Sequence, residues 1–436
     1  MTGRNGQHRT AARSRRRGGR RAAATALTLL LLPATGCAAP AKAPRADSPR
    51  TDSPRTDGPR ATATATAGIG RTLDRRATAL ADRDEHAYLA VLDPESHALR
   101  ASARAEFENL AEVPAGSWEY RLTSVERTGD RATASAELRY RITGYDSAPV
   151  TASRAMRLTE HDGHWYLTAD EPGAGGAQQL WQQGPVRAVR GERSLVLGVG
   201  QDERRLRRIA ATADLAVPAV DDAWPGRWSR RVVLLVPGSP ADMAALLGEP
   251  ADTYRSIAAV TTGETGRTGA SPADRVIVNP EAYGGLGDFG QRVVLTHETT
   301  HVATRTATSA ATPLWLSEGF ADLVAYRGTG RGAGRIAPEL QRAVRGGEAP
   351  ETLPSDADFA FAGDADLLAR AYESGWLACE MIAERWGERK LTDFYRAVGA
   401  HGHRKGAVAA AAHDVLATTE DALTERWRAF VRQRLG

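Results

Sequence analysis

From Arg131 to Ile142 every second residue is apolar: Ala132, Ala134, Ala136, Leu138, Tyr140 and Ile142 alternate with charged or hydroxylic side chains. A period of two predicts a strand with one buried face. Asp162-Gly163 predicts a hairpin turn, with Trp165 and Leu167 on the returning strand. Upstream the period lengthens. Leu73, Ala77, Leu80 and Ala81 fit one helical face, and Leu99, Ala103, Phe107 and Leu110 fit a second. Downstream of a Gly- and Gln-rich connection, Gly173–Pro185, the apolar positions become continuous. SLVLGVG, RVVLLVPG and VIVNP (Val276–Pro280) predict buried strands, and Ser239-Pro240 predicts a helix start with Ser as N-cap. Beyond Pro280 the pattern is mostly helical.

This order of elements predicts an α+β chain. Residues 67–172 form an accessory domain of two helices followed by a curled antiparallel sheet, and residues 186–436 form a second domain with a small sheet and a helical C-terminal part. Helices followed by a curled sheet resemble the cone-shaped fold of nuclear transport factor and its relatives. No residue of the accessory domain points to chemistry; His161 and His164 flank the hairpin turn as solvated residues.

Composition changes the picture mainly at the N-terminus. The net charge of +4 is local, because eight arginines fall within the first 21 residues and no acidic residue precedes Asp47. Without those arginines the balance is −4, so no nucleic-acid partner is implied. SRRRGGRR followed by the 11 apolar-rich residues Ala22–Leu32 predicts an export signal over residues 1–36, too short to span a bilayer. The paired arginines leave both the general and the twin-arginine export routes open. Ala34-Thr35-Gly36-Cys37 resembles a bacterial lipobox, which implies acylation of Cys37 and a lipid anchor on the extracellular face of the cell membrane. Residues 37–66, with DSPRT-DSPRT-DGPRA and ATATATA, predict an extended tether. The other cysteine, Cys379, is expected to be a small buried apolar residue.

The candidate chemistry lies in LTHETTHVAT. His297 and His301 are four residues apart, so on a helix both imidazoles leave one face and can reach one ion at about 2.0–2.1 Å. Glu298 is turned by about 100° around the axis, placed to take a proton from an activated water rather than to ligate. Asp288, with Gln291 three residues later, predicts a capping box for this helix. A catalytic site needs a third ligand. The metzincin pattern is excluded, because Thr304 and Ala307 stand where it requires Gly and His. After 16 intervening residues comes TPLWLSEGFADLVAY, a second helix starting at Thr312-Pro313. There Glu318 completes a His-His-Glu set, and Asp322, one turn on, can accept the remaining N–H of a ligand histidine.

HETTH followed by WLSEGFAD resembles the gluzincin metallopeptidases, and in particular the peptidase MA-like group related to the aminopeptidase N and thermolysin clan. The resemblance implies Zn2+ held by His297, His301 and Glu318, Glu298 as general base, and a peptide or protein substrate. AYESGWLACEMI resembles the Y-x-K-G segment of the aminopeptidases, with Ser374 in place of the Lys, and the resemblance implies Tyr372 as the oxyanion donor; Tyr326, on the Glu318 helix, is the alternative. The Gly-x-Met-Glu-Asn stretch that anchors a free amine in those aminopeptidases is absent. The strand Val276–Pro280 is expected to pair with an extended peptide. Two further readings stay open: a zinc-binding scaffold lipoprotein without turnover, and a zinc hydrolase of another amide such as a cell-wall bond.

Overall fold

The computed structural model describes residues 59–262, 273–360 and 365–436. The expected export signal, Cys37 and residues 37–58 of the expected tether lie outside the described residues. The chain is α+β, as its periodicities predict.

The first unit opens with α1 (Pro59–Ala81), α2 (Glu85–Ala90) and α3 (His97–Asn109). The last eight residues of the expected tether, 59–66, belong to α1. Alanine favours helix, and the extension buries Ala65 on the same face as Ile69 and Leu73. Ala81, expected on the buried face, is exposed. The strands β1 (Ala115–Thr128), β2 (Arg131–Ile142), β3 (Val150–His161) and β4 (His164–Pro172) form an antiparallel meander in sequence order. All six alternate apolar residues of β2 are buried. Asp162 and Gly163 both adopt positive φ, 52° and 75°, the geometry of a two-residue hairpin. His161 and His164 beside them are exposed.

One feature of this unit had no sequence signal. Arg76, inside α1, is buried, with Nη1 2.9 Å from Asp170 and Nη2 2.9 Å from the Tyr88 hydroxyl, while Arg154 reaches Asp170 at 2.7 Å. This buried cluster ties the helix to the sheet, and removing Asp170 would take a carboxylate from two guanidinium groups in the core at once.

The expected connection contains α4 (Leu180–Gln183), whose Leu180 and Trp181 are buried. The second unit then alternates strand and helix: β5 (Val186–Arg190), β6 (Ser194–Val199), α5 (Glu203–Ala223), β7 (Val232–Val236), α6 (Pro240–Leu247), β8 (Ala259–Thr262) and β9 (Arg275–Val278). Ser239 caps α6 as predicted, accepting from Asp242 N–H. The sheet order is β5-β6-β7-β9-β8, with β6, β7 and β9 parallel and both outer strands antiparallel.

Its continuous apolar runs sort by alternation into two cores. Val196, Leu234, Val276 and Val278 face α5 and the C-terminal helices. Leu195, Leu197, Val233 and Ile277 face the accessory unit and pack with Trp181 and α6. The accessory unit therefore closes one face of the second sheet, and the two predicted domains share a core.

The remaining helices are α7 (Pro280–Gly284), α8 (Asp288–Thr304), α9 (Leu314–Tyr326), α10 (Ala333–Ile336), α11 (Pro338–Arg345), α12 (Ala365–Trp386), α13 (Glu388–Ala400), α14 (Ala407–Leu416) and α15 (Glu420–Leu435). Among the described residues no helix is long and apolar enough to cross a membrane.

Candidate metal centre

α8 is buried along most of its length, polar residues included. Its start differs from the expected capping box. Gly287 is the N-cap and Asp288 is the first helical residue, while the Gln291 amide donates to the carbonyls of Tyr283 and Leu286. The helix thus begins one residue earlier, against the turn that follows α7. Threonines spaced by four settle their hydroxyls within the chain: Thr300 donates to Thr296 O, Thr304 to Thr300 O and Thr308 to Thr304 O. This lets a polar sequence fill a buried helix.

α9 lies against α8, and α12 crosses behind it. A Cβ on Gly319 would stand 2.2 Å from Gly375 O, and one on Gly375 2.6 Å from Trp315 O. Only two glycines allow the backbones so close, and this contact sets the position of Glu318, the neighbour of Gly319.

The two helices bring His297, His301 and Glu318 together as a buried group that can hold a metal ion. His297 Nε2 is 2.9 Å from His301 Nε2 and 3.3 Å from Glu318 Oε2, and His301 Nε2 is 3.4 Å from the same oxygen. Ligand atoms around a tetrahedral ion at about 2.0–2.2 Å stand roughly 3.3–3.6 Å apart. The triangle is close to that size, the imidazole pair having to open by only a few tenths of an ångström. Glu318 Oε1 is buried with no hydrogen-bond partner, as expected of a carboxylate whose partner is an ion.

Asp322 accepts from His297 Nδ1 at 2.8 Å. That bond leaves Nε2 as the lone-pair nitrogen facing the other two ligands. Burial opposes a charge on His297, but Asp322 and Glu318 outweigh it and raise the imidazole to about 10. Burial likewise opposes the Glu318 charge, yet His301 and His297 hold it down to about 2. An ion binding here displaces the imidazole proton.

Glu298 is fully buried beside this group but outside the ligand set. Its Oε2 accepts from the Thr261 hydroxyl, while Oε1 has no partner. Burial raises its pKa, against the pull of His297 and His301. A raised carboxylate with one unengaged oxygen is suited to accepting a proton. Thr261, on β8, was missed from sequence: it lies 37 residues before Glu298, and a strand threonine carries no distinguishing signal.

β9, the strand expected to pair with a peptide, is interior, flanked by β7 and β8. The edge position belongs to β8, whose Thr261 holds Glu298, because the short β8 returns antiparallel to β9 and covers its free side. Thr312 is also not the cap of α9. Its hydroxyl accepts from Ser309 N–H, and Asp356 Oδ1 accepts from Leu314 N–H at the helix start.

Tyr372 is buried on α12, its ring edge-on to Phe359 at 5.1 Å. It lines a cavity of about 530 Å³ shared with Asp322 and Tyr326, so both candidate donors border the same space. Cys379 is buried, as expected. His401 and His403 engage each other at the end of α13.

No family model and no curated protein matches the chain. Among solved structures, a SEC-C motif containing protein from Rhodopseudomonas palustris is 23% identical over 23% of this chain and 73% of its own, with a TM-score of 0.19. A protein of unknown function from Mycobacterium tuberculosis is 16% identical over 28% of this chain and 78% of its own, with a TM-score of 0.22. Such scores place both too far away to inform the fold or the chemistry of this chain.

Proposed function

We propose that the chain is an exported, lipid-anchored zinc peptidase of the gluzincin type, acting on peptide or protein substrates outside the cell. The observation that carries the reading is the convergence of His297, His301 and Glu318 within 2.9–3.4 Å beside a buried carboxylate, Glu298, that is not part of the ligand set. Two nitrogens and a carboxylate suit zinc. Zinc held there supplies Lewis acidity that makes water reactive near neutral pH. Glu298 takes the proton at its unengaged oxygen and returns it to the leaving amine. Asp322 keeps the His297 ring in the orientation and tautomer that ligation requires. A phenol bordering the cavity, Tyr372 or Tyr326, donates to the carbonyl oxygen as it gains charge. Acylated Cys37 provides the anchor.

Metal analysis and peptide digestion on purified variants test the reading. Glu298→Ala is expected to keep about one zinc per chain and to lose hydrolysis, whereas His297→Ala and Glu318→Ala lose the metal itself. Tyr372→Phe is expected to keep zinc and to lower kcat by about 10²–10³-fold; an unchanged kcat transfers the role to Tyr326. Full zinc occupancy in Glu318→Ala, or undiminished turnover in Glu298→Ala, would overturn the assignment.

A further inference from the structure

The cavity that borders Asp322 and Tyr372 continues along α8 from Val293, one turn before His297, and along α9 from Asp322, one turn past Glu318. Its volume of about 530 Å³ falls in the usual range of ligand pockets. Phe289, Val293, Tyr326, Ile336, Tyr372 and Trp376 give it a largely apolar body.

Its charges are unevenly committed. Asp322 is bonded to His297, and Glu339 pairs with Arg342, which also lies 3.8 Å from Asp366. Glu373 accepts from the backbone N–H groups of Glu339 and Leu340, and burial raises it to about 8, so at neutral pH it adds little negative charge. Arg331 and Arg335 differ. Both are exposed at the wall, and neither has a carboxylate partner among the described residues. The Arg331 guanidinium lies 3.5 Å from the centroid of the Phe289 ring, which holds its charge over the apolar body. Two guanidinium groups of the wall, Arg331 and Arg335, therefore stand without a carboxylate among the described residues.

We propose that this cavity selects the substrate: it takes an apolar or aromatic side chain beside the cleaved bond, and Arg331 and Arg335 hold a carboxylate carried by the same stretch of peptide. The preference rests on the peptidase reading above, since it describes what that site cuts. Guanidinium groups bind carboxylates through charge-assisted, often paired hydrogen bonds, and a lysine brought to the same place meets repulsion.

The test uses the zinc-loaded full chain and peptides with a central Phe, in which Glu, Gln or Lys is scanned through the three positions on either side. Cleavage is mapped by mass spectrometry. Binding of the same peptides to the Glu298→Ala variant is followed by fluorescence anisotropy. Glu peptides are expected to be cut and bound at least roughly ten-fold better than Lys peptides, the scale of one charge-assisted hydrogen bond. The Arg331→Glu/Arg335→Glu double variant, altered only at exposed positions, is expected to reverse the order in both measurements. Equal handling of Glu, Gln and Lys peptides by the parent, or an acid preference that survives in the double variant, overturns the proposal while leaving the peptidase reading intact. If the parent cleaves no peptide at all, the peptidase reading falls and the preference falls with it.

Discussion

Thr261 holds one oxygen of Glu298 as Asp322 holds one nitrogen of His297, which leaves Glu298 Oε1 without a partner and His297 Nε2 facing His301 and Glu318. A carboxylate free to rotate would spend much of its time out of line for proton transfer. Thr261→Val keeps the shape of the side chain and removes the hydroxyl. Zinc content is expected to match the parent while kcat falls roughly ten-fold, the scale of one hydrogen bond to a charged group. Parallel metal analysis and steady-state kinetics check this, and a variant with parental kcat would leave Thr261 without a role. Glu373 makes a different kind of contribution. Burial lifts it to about 8, above the roughly 4.3 of an unfolded glutamate. Between those values the folded chain keeps a proton that the unfolded chain releases, so this contribution to stability is complete below about pH 4.3 and is lost as pH rises towards 8. Glu373→Gln does not titrate. Its Tm is therefore expected to gain on the parent's from pH 5 to pH 8, measured by thermal denaturation at unit intervals.

At the scale of elements, the centre is held by a crossing rather than by loops. α8 supplies His297, His301 and Glu298, α9 supplies Glu318 and Asp322, and α12 presses on α9 where Gly319 meets Gly375. A methyl at Gly319 has backbone in its way, which cannot rotate aside as a side chain can. Gly319→Ala is expected to cost about 1–3 kcal/mol through overpacking and, by shifting Glu318, to weaken metal binding as well. Thermal denaturation of the metal-free protein and a competitive zinc titration read the two effects separately. Parental values in both would show that the helices separate without strain.

For the whole molecule, the second sheet is a layer between the helices that carry the centre and the accessory unit. Asp274 and Arg275 are consecutive and face opposite ways. Asp274 meets Arg305, which follows α8, at 2.8 Å, while Arg275 meets Asp146 of the accessory unit at 2.6 Å, and all four side chains are buried. The two units are therefore expected to unfold in a single calorimetric transition. Asp146→Ala strands the Arg275 charge and is expected to destabilise that whole transition by about 3–5 kcal/mol. Two separate transitions in the parent, with only the first moved by the substitution, would show that the units fold independently.

Local pattern determined much of this. The alternation of β2, the Asp162-Gly163 turn, the Ser239 cap and the spacing of His297, His301, Glu318 and Asp322 were legible because each depends on residues within a turn or a strand of one another, or on two helices joined by a short connection. The tertiary structure decided what depends on distant segments: that Thr261 reaches Glu298, that β8 rather than β9 takes the sheet's edge, that Gly319 meets Gly375, and that a sheet with continuous apolar strands is sealed on one face by the accessory unit. A continuous apolar run states that both faces of a strand are buried but not what covers them, and a lone threonine or glycine acquires meaning only from the atoms packed against it.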